Sequence, residues 1–193
     1  WGRGTWGSGT TINVTTSLRI WSQDNFGEDL LINPRDSSIY HWDKSNGVTT
    51  RAVEIQSIAG ANECPTIAKQ IMVSDVDRHV IAFGANPLGQ SDQDPLLIRF
   101  SDQESFLDWN PTSTNTAGDL RIGSGSKFVK AIETKREIII ITDSSVHSMQ
   151  FIGAPFTFGI QPIASNITIM GPNSAIAVED SVYWMGRQNF YVY

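Results

Sequence analysis

Four pairs of short apolar runs recur along this chain, each pair split by turn-forming residues. Leu30-Leu31-Ile32 precedes Ile39-Tyr40-His41-Trp42, and Val80-Ile81-Ala82-Phe83 precedes Leu96-Leu97-Ile98-Arg99-Phe100. Ile138–Ile141 precedes Val146–Met149, and Val182-Tyr183-Trp184 precedes Phe190–Tyr193. The second members start at Ile39, Leu96, Val146 and Phe190, a spacing of roughly fifty residues. Runs this short, rich in β-branched and aromatic residues and bounded by Asn, Asp, Gly and Pro, read as β-hairpins. No stretch of helical length carries a clean 3.6-residue apolar period. The expected class is therefore all-β. Several strands per unit at this spacing match the blade of a β-propeller, with about four blades present and the fourth ending in mid-hairpin. A β-sandwich is the rival, but its strands repeat without the larger period.

The connections carry the rest of the pattern. Residues 1–17 are rich in Gly and Trp, with Trp1-Gly2 echoed at Trp6-Gly7, and read as an arm or linker before a partial propeller over 18–193. Trp1 and Trp6 are candidate docking residues, because free indoles expose apolar area. Asn46-Gly47 predicts a turn, followed by a strand over Val48–Ile55. Residues 57–70 read as a short helix or a loop. The link from Gly84 to Pro95 reads as a surface loop available for contacts, with Pro87, Asp92 and Asp94 as its candidate interaction residues. Phe151 to Gly159 reads as an aromatic loop, with Phe156 and Phe158 as candidates. The unbroken apolar run Ile138–Ile141 predicts a strand buried on both faces. The chain opens without Met and closes inside an aromatic strand, so it is expected to be part of a longer polypeptide.

Composition narrows the functional classes. With 40% hydrophobic and 18% charged residues, a packed core is expected. The net charge of −6 and the lack of a Lys/Arg stripe argue against sequence-specific nucleic-acid binding. An acidic surface does suit a wall along which DNA slides without sticking. Cys64 is the sole cysteine, which excludes an internal disulfide and a cysteine zinc site. No apolar run is long enough for a helical membrane span. Asn13-Val14-Thr15 and Asn166-Ile167-Thr168 match the glycosylation triplet, which is common by chance.

No catalytic motif stands out. His41, His79 and His147 fall in separate units with no metal-binding spacing, and read as hydrogen-bonded strand histidines. Asp75–Arg78 and Ser91–Asp94 lack the Gly and Glu of a calcium loop and read as polar turns. Ser101–Trp109 is similar to the structural Asp-box of sialidase-like propellers, with its Asp one place early and Ser105 where Gly belongs. That likeness supports an alternative reading as a carbohydrate-binding or glycosidase-like propeller for host-surface recognition. Central-face aromatics such as Trp109 or Trp184 would then meet the sugar.

A broader likeness runs over nearly the whole chain. Its segments are Phe26–Arg35 with Ile39–Asp43, Asp77–Gly84, Asp94–Gln103 with Asp108-Trp109-Asn110-Pro111, and Tyr183-Trp184-Met185-Gly186. In this order they resemble stretches of the tail nozzle or tail hub proteins of short-tailed bacteriophages, related in architecture to tail tubular protein B. The resemblance implies a structural virion protein of the tail, built around a β-propeller. It implies a homohexameric ring below the portal and adaptor rings, carrying tail fibres or spikes. That ring retains genomic DNA and lets it exit on infection, with no enzymatic role, cofactor or metal.

Overall fold

In the computed structural model, which describes residues 20–193, the regular secondary structure is almost entirely antiparallel β-sheet. Fifteen strands form four sheets in chain order. Sheet 1 runs β1 (Trp21–Phe26), β2 (Asp29–Pro34), β3 (Tyr40–Trp42) and β4 (Val53–Glu54). Sheet 2 runs β5 (Gln70–Val73), β6 (Val80–Phe83), β7 (Leu97–Phe100) and β8 (Gly118–Arg121). Sheet 3 runs β9 (Phe128–Glu133), β10 (Ile138–Thr142), β11 (Ser145–Gly153) and β12 (Thr157–Ser165). Sheet 4 holds β13 (Ala175–Val178), β14 (Ser181–Met185) and β15 (Phe190–Val192). Each sheet is a meander in which every strand pairs with its predecessor. All four expected hairpins form: β2–β3, β6–β7 and β10–β11 as the central pairs of their sheets, and β14–β15 at the edge of the three-stranded sheet 4.

Period-two alternation explains how the sheets stack. Successive side chains on a strand point to opposite faces. In β6, Ile81 and Phe83 enter the core shared with sheet 3, while Val80 and Ala82 enter the core shared with sheet 1. In β10, Ile138 and Ile140 face sheet 2, while Ile139 and Ile141 face sheet 4. Both strands are buried along their whole length, as the run Ile138–Ile141 predicts. Three apolar layers therefore lie between four sheets. Phe83 stacks on Phe128 at 5.1 Å, and Phe100 meets Phe158 edge-on at 5.0 Å, in the layer between sheets 2 and 3.

The first strands of the sheets adjoin one another, with β1 beside β5 and β9 beside β13. Side chains bridge the backbone between them. Ser22 Oγ accepts the Ile71 amide at 3.0 Å, and Asp24 Oδ2 accepts the Val73 amide at 2.8 Å. Gln70 forms a two-way bridge to Ala131, donating to its carbonyl at 2.8 Å and accepting its amide at 3.0 Å. These bonds satisfy edge groups that would otherwise sit unpaired between sheets.

Two expectations about connections change, and one open reading resolves to a loop. The strand over Val48–Ile55 shrinks to Val53–Glu54. Asp43 accepts the Ser45 amide at 2.7 Å and caps a 3-10 turn over Lys44–Asn46. Thr50 then bonds back to Gly47 and Asn46, so half of the run is spent in a wide turn. Residues 58–69 form a loop without regular helix, tied by the Asn62–Asp108 bridge after a single 3-10 turn at Ile55–Ser57. The aromatic stretch Phe151–Gly159 is the tip of a hairpin, because β11 and β12 pair Phe151 with Phe158 and Gly153 with Thr157.

Replacing Gln70 with Leu keeps its bulk but strands the amide and carbonyl of Ala131, which is buried. Urea denaturation is expected to show a loss of about 2–4 kcal/mol. Lys44→Ala, which removes an exposed pair with Glu28, is expected to change stability by less than about 0.5 kcal/mol.

Candidate functional site: the groove between the first strands and its loops

The four first strands line a groove of about 440 Å³, with Asp24, Gln70, Lys130, Glu133 and Ile176 among its walls. One end is acidic. Glu133 accepts the Asp75 amide at 3.1 Å and lies near Asp24 and Asp77. Burial, reinforced by the charges of Asp75, Asp24 and Asp77, pushes the Glu133 carboxyl up to about 7. Lys130, further along β9, is held below the usual lysine range by burial and by the positive charge of Arg35. The groove thus carries ionisable groups that are imperfectly neutralised.

Beside the acidic end lies a buried polar chain. His79 is fully buried, with Nε2 2.9 Å from Thr116 Oγ1 and Nδ1 3.4 Å from Asp77 Oδ2. Ser74 donates to the other oxygen of Asp77, and Thr116 donates to Asp102 through both amide and hydroxyl. Burial lowers the His79 pKa, against the pull of Asp77 and Asp102. The His79 ring also packs edge-on against Phe158 at 5.3 Å. His79 thus pins the turn between β5 and β6 to the long β11–β12 hairpin. His41 bonds Asp29 at 3.0 Å and His147 bonds Ser145 at 3.0 Å, both as satisfied strand residues. Cys64 is buried, and burial raises its thiol to about 11, so it is inert as a nucleophile.

The sequence-predicted contact residues separate into different environments. Trp1 and Trp6 lie outside the described residues. Pro87 is half-buried and Asp92 exposed on the loop between β6 and β7. Asp94 turns back into the fold: it accepts the Leu96 amide at 2.9 Å and the Arg121 Nε–H at 2.8 Å. Phe156, 72% exposed at the β11–β12 tip, does present itself to solvent. Phe158 is a core residue at 2% exposure, because alternation along β12 turns it toward Phe100. Trp109 and Trp184 are also buried, Trp109 with its indole N–H donating to the Phe106 carbonyl at 2.9 Å. Neither is available to stack on a sugar.

Sequence reading missed the outer face of sheet 4. Ile176, Tyr183 and Val192 form one cross-strand row, and Met185 pairs with Phe190 on the same face. All five are exposed, Phe190 at 83%. The signal was present in the alternation of β13 to β15, but only the packing of the opposite face on sheet 3 shows which half is left open. No family model matches the chain, and no curated protein is significantly similar to it.

Glu133 supplies a pH test with a definite sign. The folded chain keeps this proton at pH values where the unfolded chain has released it, so folding binds a proton. Its contribution is fully present below about 4.5 and is lost as pH rises to about 7. Chemical denaturation of Glu133→Gln and the parent chain should give a stability difference that grows in favour of Gln from pH 4.5 to 7. It should be flat above that.

Proposed function

We propose that this chain is a structural virion protein, a subunit of a tail nozzle or hub ring of a short-tailed bacteriophage. The observation that carries the reading is the meander repeat: four successive antiparallel sheets whose first strands share one axial groove. That arrangement suits part of a β-propeller, since blades place their first strands around an axis and pack face to face. The ordered sequence likeness to nozzle and hub proteins adds the assembly. In this reading the subunit joins a homohexameric ring with portal or adaptor proteins on one side and fibres or spikes outside. DNA passes the wall without sequence readout. The net charge of −6 supports passage without adhesion. The exposed apolar face of sheet 4 supplies surface for a neighbour in such an assembly.

Immunogold labelling of intact phage particles with antibodies to this chain tests the reading. Label at the tail, with sixfold density in averaged images, is the expected result. A chain absent from particles, and found as a free monomer in infected cells, would overturn it.

A further inference from the structure

At the end of the groove opposite the acidic cluster, the turn between β2 and β3 meets the starts of β5 and β9. Arg35 spans this junction. Its guanidinium donates to the Lys69 carbonyl at 3.5 Å and the Phe128 carbonyl at 3.4 Å, so one residue of sheet 1 reaches sheets 2 and 3. Beside it opens a funnel of about 380 Å³ whose wall includes Arg35, Lys69, Lys127 and Arg187, with Asp36 and Asp143. The two carboxylates are already engaged. Asp36 pairs with Lys69 at 2.6 Å and accepts from Gln93 at 3.1 Å. Asp143 accepts the amides of Ser126 and Lys127 and the Ser126 hydroxyl.

Among the described residues, Arg35, Lys127 and Arg187 make no ion pair, although Asp36 lies close enough to attract Arg35, and Lys130 on the adjoining groove wall makes none either. Lys44, Arg78 and Arg121 are matched, with Glu28, Glu104 and Asp94; Arg51, Arg99, Lys135 and Arg136 also make no ion pair, but none of them lines the funnel. The segment before the described residues offers no neutralisation, since residues 1–19 contain Arg3 and Arg19 but no acidic residue. A cavity whose wall carries four cations against two carboxylates, in a chain of net charge −6, is a local site that favours an anion.

We propose that this funnel binds a phosphate group between Arg35, Lys127 and Arg187. The donor set favours that class. Two guanidiniums and an ammonium present many N–H donors from different directions, which a tetrahedral dianion satisfies better than a planar carboxylate. The volume admits a phosphoryl group with some of its water but no nucleic-acid duplex. The phosphate is either free or the exposed phosphate of a single strand. The proposal stands independently of the virion reading.

Calorimetric titration of the chain with inorganic phosphate at low salt is the test. Lys127→Gln/Arg187→Gln is the main variant, because both side chains are exposed and hold no hydrogen bond within the described fold. It should weaken binding about tenfold per cation removed. Arg35→Gln should weaken it similarly, and Arg51→Gln, exposed and outside the funnel, should leave it unchanged. A second arm adds a short single-stranded oligonucleotide: competition identifies strand phosphate as the source, and no competition identifies free phosphate. Absence of phosphate binding, unchanged binding in the double variant, or an equal loss in Arg51→Gln would overturn the proposal.

Discussion

Burial of both faces of the middle strands is the constraint on which the rest of the structure depends. β6 and β10 each send alternate side chains into two separate apolar layers, so neither strand can be stable in an isolated sheet. Each fully buried Ile or Phe is worth about 1.5–3 kcal/mol relative to exposure, and that gain is realised only when a sheet lies on either side. Stacking is therefore obligatory for sheets 2 and 3. It leaves sheets 1 and 4 with one covered face each, which is why Trp21 and the row Ile176, Tyr183 and Val192 remain exposed.

Stacking brings the first strands together along one line, and there apolar packing gives way to polar bridging. Ser22, Asp24 and Gln70 satisfy backbone groups of the neighbouring sheet. The same crowding concentrates charge. Glu133 and Lys130 sit on one strand near opposite ends of the groove, each shifted toward its neutral form by burial and by like charges. A wall with an acidic end and a cationic funnel follows from which loops the stack places at each end.

Much of the fold was legible in the sequence because its signals are local. Hairpin positions follow from apolar runs bounded by turn residues, and the four expected pairs all form. Failures occur where a side chain redirects the backbone or where pairing overrides turn chemistry. Asp43 caps a 3-10 turn over Lys44–Asn46, and Thr50 bonding back to Gly47 and Asn46 takes up half of the run that follows. Phe151 and Phe158 pair across a hairpin that reads as a loop, since Gly153 and Pro155 suggest irregular chain. Of the contact residues, Phe156 was legible as an exposed aromatic, whereas Phe158, two places on, points into the core. Asp94 looked like a loop acid but closes its own turn.

By itself the sequence determined the all-β class, the hairpin rhythm and the strand destined for two-sided burial. These rest on period-two alternation and turn propensity, which act within a few residues. The tertiary structure alone decided which face of each sheet is covered, which first strands adjoin, and which charges meet. Gln70 and Ala131 stand 61 positions apart, and Arg35 reaches Phe128 across 93. No local pattern encodes such partners, because they are set by how one apolar layer docks on the next.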